Sequence, residues 1–443
     1  MTRRPVDDTG ESAGGLVGFS LTAAVVGALT GLMAASFTLV IDLLSRLRGD
    51  ASDWAAGGLW RQLAVVLACT VAVTLSVAMV RRLEPHAEGS GIPRVEAFVA
   101  GNGPPDRFRV LPIKYVGGLL SIGAGMALGR EGPSVQMGGS IATVIATITR
   151  RPLTDLRTLA TAGAAAGLAT AFNAPLAGGV FVLEELVKRF DPRTTIATLI
   201  ASAAGFVVAN PIAGSDTDFA MPELHDPHMS NAGWILLVGI VTGMLGVAYN
   251  KAIMASLRFA DRSRLPAEAR AAGIGVAVGT LVVLAPNLAG GGDHLTQEAL
   301  LGHGTLWTVI GVLALRSVMG VVSYAAGAPG GLFAPMLVLG ADSGLIVGLI
   351  AAGLFPASAP DPAALALIGM ASFFTASVHA PVTGLVLATE LTGTTSQLPP
   401  MLGACATAFL VVVMVRSRGI YDMLAARAAA KSTDDSMSVA RST

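Results

Sequence analysis

GREGPSVQMGG, residues 129–139, sets two charged side chains between long apolar stretches. From Tyr115 to Gly129 there are fifteen residues without Lys, Arg, Asp or Glu, and from Gly132 to Thr149 eighteen more. Arg130 and Glu131 lie between them, flanked by glycines and followed by Pro133. A charge at the centre of a bilayer costs about 2.5–3.5 kcal/mol even on the mild insertion scale, so such residues are usually functional. Neighbouring residues do not face each other on a helix, which makes a simple Arg130–Glu131 pair a poor explanation.

The rest of the chain has the same character. Of 443 residues, 53% are hydrophobic and 13% charged, against about 25% charged in soluble domains. Charge-free runs recur at 13–41, 158–183, 317–341, 362–389 and 391–415. A spanning helix needs about 20 apolar residues, so each run can cross or enter a bilayer, and several are long enough for two short segments. The polar start, MTRRPVDDTGESAGG, has no signal-peptide core. Cys69 and Cys405 read as small core residues without a disulfide framework. Net charge is zero, with no basic run of the kind that binds nucleic acid. Basic pairs such as Arg81–Arg82, Arg150–Arg151 and Lys188–Arg189 are too evenly spread to fix every orientation. The histidines show no metal-ligand spacing, and no cofactor is expected.

Glycine and proline fall together inside the apolar runs: GSGIP (89–93), GREGP (129–133), FNAPLAG (172–178), GAPGGLFAP (327–335) and HAPVTG (379–384). These are helix breaks and restarts. Irregular backbone at membrane depth persists only where it is buried in protein or lines a cavity. An internal repeat accompanies them. At a constant offset of 206, Gly163 matches Gly369, Ala174–Pro175 matches Ala380–Pro381, Gly178 matches Gly384 and Glu184 matches Glu390. Similar halves with interrupted segments in corresponding places point to a transport site near the midplane.

A helix that starts inside the membrane offers unpaired N–H groups and the positive end of its dipole. Glycine lets the backbone approach a ligand, and proline fits the first turn. GSGIP, GREGP and GGLFAP each fit such an anion site. Ser90 adds a hydroxyl, whereas GGLFAP offers only main-chain groups such as those of Leu332 and Phe333. This favours a halide over phosphate or sulfate, which call for arginine clamps. Glu131 sits where the backbone is built to hold an anion, so its carboxylate can occupy the site when ionised and leave when protonated. Glu184 and Glu185 end the run 158–183, where a solvated helix end is an equally good reading. His379 reads as a structural or capping residue, and Tyr421 as an interfacial anchor.

Together these motifs resemble the ClC chloride channel and transporter family. GSGIP, GREGP, GGLFAP and a late tyrosine stand in the family's order over roughly residues 16–425. The resemblance implies an all-α integral membrane protein of two inverted-topology repeats, each of many short, tilted and broken helices. The halves are expected at about 16–215 and 216–425. Segments 1–15 and 426–443 are expected in the cytoplasm, without CBS domains. It further implies a homodimer in the cell membrane, among membrane lipids, with one pathway per subunit.

The same resemblance assigns roles. Ser90 and Tyr421, with the amides of Leu332 and Phe333, would hold chloride; the amides of Arg130 and Gly132 would line an outer position. Glu131 would be the gating and proton-carrying glutamate and Glu185 the internal proton-transfer glutamate. Glu96 and Lys114 match polar residues around the pathway. Ser90 and Tyr421 together favour chloride over nitrate or fluoride. The implied function is proton-coupled chloride antiport, with chloride and protons as the partners. A passive chloride channel of the same fold is the alternative. An intramembrane serine hydrolase using Ser90 and His379 is a remote one, because Ser90 lacks a nucleophile setting.

Overall fold

The computed structural model describes residues 13–214, 217–224 and 229–430. Most of the two expected terminal segments, 1–15 and 426–443, and also His225 and His228, lie outside these residues. The first half contains α1 (Ala13–Ala55), α2 (Leu59–Leu83), α3 (Ile92–Val99), α4 (Val110–Gly123), α5 (Glu131–Ile148), α6 (Leu153–Ala171), α7 (Pro175–Phe181) and α8 (Pro192–Ala213). The second contains α9 (Ala232–Arg262), α10 (Ala267–Leu284), α11 (Asp293–Leu300), α12 (Leu306–Ala325), α13 (Phe333–Leu354), α14 (Pro362–Val378), α15 (Pro381–Thr392) and α16 (Leu398–Met414). A last helix, α17, spans 420–430. Each half thus runs through the same eight-helix series. Among the described residues seven helices are long and apolar enough to cross a membrane.

The breaks fall where backbone chemistry puts them. The run 158–183 leaves α6 at Asn173, whose φ is 51°, and restarts at Pro175; the run 362–389 leaves α14 at His379, whose φ is 74°, and restarts at Pro381. Left-handed backbone ends a helix, and proline suits the first turn of the next. The two sites are again 206 apart.

Packing repeats as well. Gly138 on α5 and Gly163 on α6 approach so closely that a Cβ on either would collide with the other's carbonyl oxygen, and Gly340 on α13 meets Gly369 on α14 in the same way. Small residues allow this close approach where lipid supplies no hydrophobic drive between helices. The repeats run in opposite directions. Glu184, just past the C-terminal end of α7, bonds to the N-terminus of α15, and Glu390 near the C-terminal end of α15 bonds to the N-terminus of α7. Equivalent helices lying head to tail are what inverted repeats require.

Candidate anion pathway

Three helix starts meet at the centre. The parallel bridge Gly89–Pro329 ties the GSGIP loop to the loop before α13, and the antiparallel bridge Gly129–Gly331 ties GREGP to that loop as well. A Cβ on Gly132 would stand 2.5 Å from Ser90 Oγ and 3.0 Å from Gly331 Cα, so only glycine fits this junction. None of α3, α5 and α13 is capped by a side chain of its own N-cap residue, Gly91, Arg130 or Leu332. Their first amides are therefore available to a ligand.

Glu131 is 2% exposed. Its carboxylate lies within reach of its own amide and that of Ala334 on α13, while Oε2 completes no hydrogen bond. The carboxylate thus sits on the helix start that would hold an anion. Arg130 turns its side chain away: Nε donates to the Ala171 carbonyl, and the guanidinium lies 3.5 Å from Asp42 and 3.6 Å from Asp218. What Arg130 can offer an anion is its amide. The charge pair read in the sequence is two residues with separate tasks.

Further along, Ser90 and Tyr421 are both fully buried and adjoin each other, yet neither hydroxyl oxygen completes a hydrogen bond. The Phe333 ring closes one side. Its centroid lies 6.0 Å from Tyr421, 5.0 Å from Phe181, 4.9 Å from Phe374 and 5.7 Å from Phe172. Aromatic walls around a few buried, unpaired hydroxyls describe a small site in which polar groups could fix one ligand. Leu332 and Phe333, also fully buried, start α13 beside it.

Beyond Tyr421 a polar cluster begins. The π-helical turn Val182–Val187 lets Glu184 and Glu185 diverge. Glu184 leaves to cap α15, while Glu185 is 3% exposed with Oε1 unpartnered. Lys188 follows in a left-handed conformation and donates to Glu96 at 3.1 Å and Asp422 at 2.7 Å. It thereby links α3, the π-helical turn and the helix that carries Tyr421. Sequence reasoning missed Lys188 and Asp422; their positions, three residues past Glu185 and one past Tyr421, were the signal available. Lys114 is fully buried and donates to the carbonyls of Ala87 and Gly89, at 3.1 and 2.6 Å. It holds the loop that presents Ser90. His379 ends α14 against the Phe409 ring, and among the described residues no hydrogen bond joins it to Ser90.

The family model described as voltage gated chloride channel matches residues 72–413. The chain belongs to this family. Among its relatives, the H(+)/Cl(-) exchange transporter ClcA of Vibrio parahaemolyticus is 35% identical over 416 residues, 91% of this chain and 88% of that protein. The ClcA of Vibrio cholerae is 36% identical over 412 residues, 90% and 87% of the two chains. A slow cyanobacterial Cl-/H+ antiporter of solved structure superposes with a TM-score of 0.89 at 32% identity, covering 93% of this chain and 98% of that one. A CLC-type fluoride/proton antiporter shares the fold at a TM-score of 0.77 and 21% identity, over 90% and 96% of the two chains. As a member of the voltage gated chloride channel family, the chain is a multi-pass membrane protein with the double-repeat helical fold expected from its motifs.

Proposed function

We propose that this chain exchanges chloride for protons across the cell membrane. The observation that carries this reading is the Glu131 carboxylate seated on the start of α13, next to the unpartnered hydroxyls of Ser90 and Tyr421. Chloride sits between Ser90 Oγ, Tyr421 Oη and the amides of Leu332 and Phe333. Ionised Glu131 competes with it for the helix start. Protonation removes the negative charge, the side chain leaves, and the amides of Arg130 and Gly132 accept chloride in its place. The proton that Glu131 carries reaches the other side through Glu185, with Glu96 beside it. The ClcA relatives and the cyanobacterial antiporter, each described as exchanging the same two ions, support this assignment.

Two copies form the working unit, each with its own pathway. Support comes from the neighbouring helices α7, α8, α15 and α16, which expose Leu176, Val207, Val382, Leu402 and Leu410. The two glutamate caps stand partly exposed on this face. A charged group facing hydrocarbon is costly, and a second copy laid on the face shields both caps.

The test uses purified protein in sealed liposomes with a chloride gradient and no proton gradient. Uphill proton movement that reverses with the chloride gradient, and vanishes in Glu131→Gln, is the expected result. Chloride flux without coupled protons makes the chain a passive channel and removes the role given to Glu185.

A further inference from the structure

A buried N–H group without an acceptor costs about 1–3 kcal/mol, so the amides lining an anion pathway need a substitute when no anion is bound. At the Glu131 end that substitute is the Glu131 carboxylate, which reaches its own amide and that of Ala334. At the other end the Ser90 amide donates to Tyr324 Oη at 3.5 Å. Tyr324 lies at the C-terminal end of α12, in the second repeat, and is 6% exposed. Its hydroxyl is fitted to the GSGIP loop: a Cβ on Gly89, where φ is 63°, would come within 3.1 Å of it. Tyr421 is within electrostatic reach of Tyr324. Tyr421 is within electrostatic reach of Glu131 as well, and the hydroxyls of Ser90 and Tyr421 are buried and unpartnered.

We infer that Tyr324 is a second, neutral stopper of the pathway: its hydroxyl oxygen holds the Ser90 amide in place of an anion, and chloride must displace it to reach the Ser90–Tyr421 position from the end opposite Glu131. This rests on the chloride reading of the site given above. The competition is physically favourable to the ion. The Ser90–Tyr324 bond is neutral and lies at the long limit of hydrogen bonding, whereas a bond from an amide to an anion is roughly twice as strong as a neutral one. A phenol stays protonated at physiological pH, so no proton is needed to open this end. The Glu131 end then answers to protons and the Tyr324 end to chloride concentration.

The experiment is calorimetric titration of chloride into the full-length protein in detergent. Tyr324→Phe keeps the ring and removes the competing oxygen, and chloride binding is expected to tighten about three- to tenfold, the equivalent of one modest hydrogen bond. A residue with only a packing role would lower thermal stability without tightening binding. Tyr324→Leu, which also lacks the oxygen, is expected to shift affinity in the same direction if the phenylalanine variant does not fold. Unchanged or weakened binding in both variants overturns the stopper. Ser90→Ala and Tyr421→Phe separate this from the underlying reading. If they weaken binding while the Tyr324 variants leave it unchanged, the stopper alone falls. If the unmodified protein binds no chloride, the chloride site falls and the stopper with it.

Discussion

Glu184 and Glu390, equivalent residues of the two repeats, each cap the other repeat's helix. Glu390 accepts from the amides of Leu176 at 3.0 Å and Ala177 at 2.6 Å; Glu184 accepts from those of Val382 at 3.1 Å and Thr383 at 2.7 Å, and from the Thr383 hydroxyl at 2.7 Å. A carboxylate at a helix start satisfies orphan donors and meets the positive end of the dipole. Exchanging the caps makes each half complete only in the presence of the other. Replacing either glutamate by alanine is expected to remove about 1–2 kcal/mol and to lower the unfolding temperature in detergent, while chloride affinity stays within twofold. A collapse of chloride binding would reassign Glu184 or Glu390 to the pathway.

Glu131→Gln keeps the shape of the side chain and removes its charge. Proton coupling is expected to disappear while chloride still moves, measured as paired chloride and proton fluxes from liposomes. Continued proton pumping by this variant would remove Glu131 from the gate.

For Glu185→Gln the expected split is different. Proton flux falls at least tenfold, and calorimetric chloride affinity is retained because Glu185 lies outside the Ser90–Tyr421 pocket. Loss of affinity instead makes Glu185 a structural residue.

Gly132→Ala tests the junction itself. The new methyl would press on Ser90 Oγ and the backbone of Gly331. Overpacking of this kind costs about 1–3 kcal/mol. Chloride binding should fall at least tenfold, more than the fall in stability explains. Normal binding would place the anion elsewhere.

A pH dependence is expected from the acidic groups around Arg130, next to Glu131 in the chain. Asp218, in the loop between α8 and α9, is pushed up to about 6, chiefly by burial of its carboxyl and against the opposing pull of Arg130. Below about pH 6 it is neutral; above, its charge repels chloride approaching from the Glu131 end. The chloride KM from that face should therefore rise between pH 5 and 7 in the Glu131→Gln background, where the gate no longer titrates. Asp218→Asn should flatten the profile. Because the folded protein holds this proton more tightly than the unfolded chain, the contribution to stability is present at low pH and lost as pH rises through about 6.

Much of this was legible in residue order. Paired glycines and prolines inside charge-free runs marked the helix starts, and the 206-residue offset that links Asn173 to His379 and Glu184 to Glu390 marked the repeats. These signals are local or strictly periodic. The direction of the repeats was not legible from the residues, because spacing carries no sign; it took the crossed caps to give it. The divergence of Glu184 from Glu185 was hidden too, since a π-helical turn has no distinct composition. Tyr324 and Lys188 were given no place at the site for another reason. Each makes its contact with residues far along the chain, Ser90 for one and Glu96 and Asp422 for the other, and beyond the closeness of Lys188 to Glu185 nothing in residue order announces it.

The two small bridges at the centre bear on how the protein can move. Four backbone hydrogen bonds, among Gly89, Ala328, Gly330, Gly129 and Gly331, join the halves where their loops cross. Tilting one half against the other, as many carriers with inverted repeats do, would break these bonds at buried positions, where an unpaired backbone group is costly. The centre therefore behaves as a fixed axle. On the exchange reading proposed above, the moving parts would then be single side chains at its two ends, and the outline of the body would change little during the cycle.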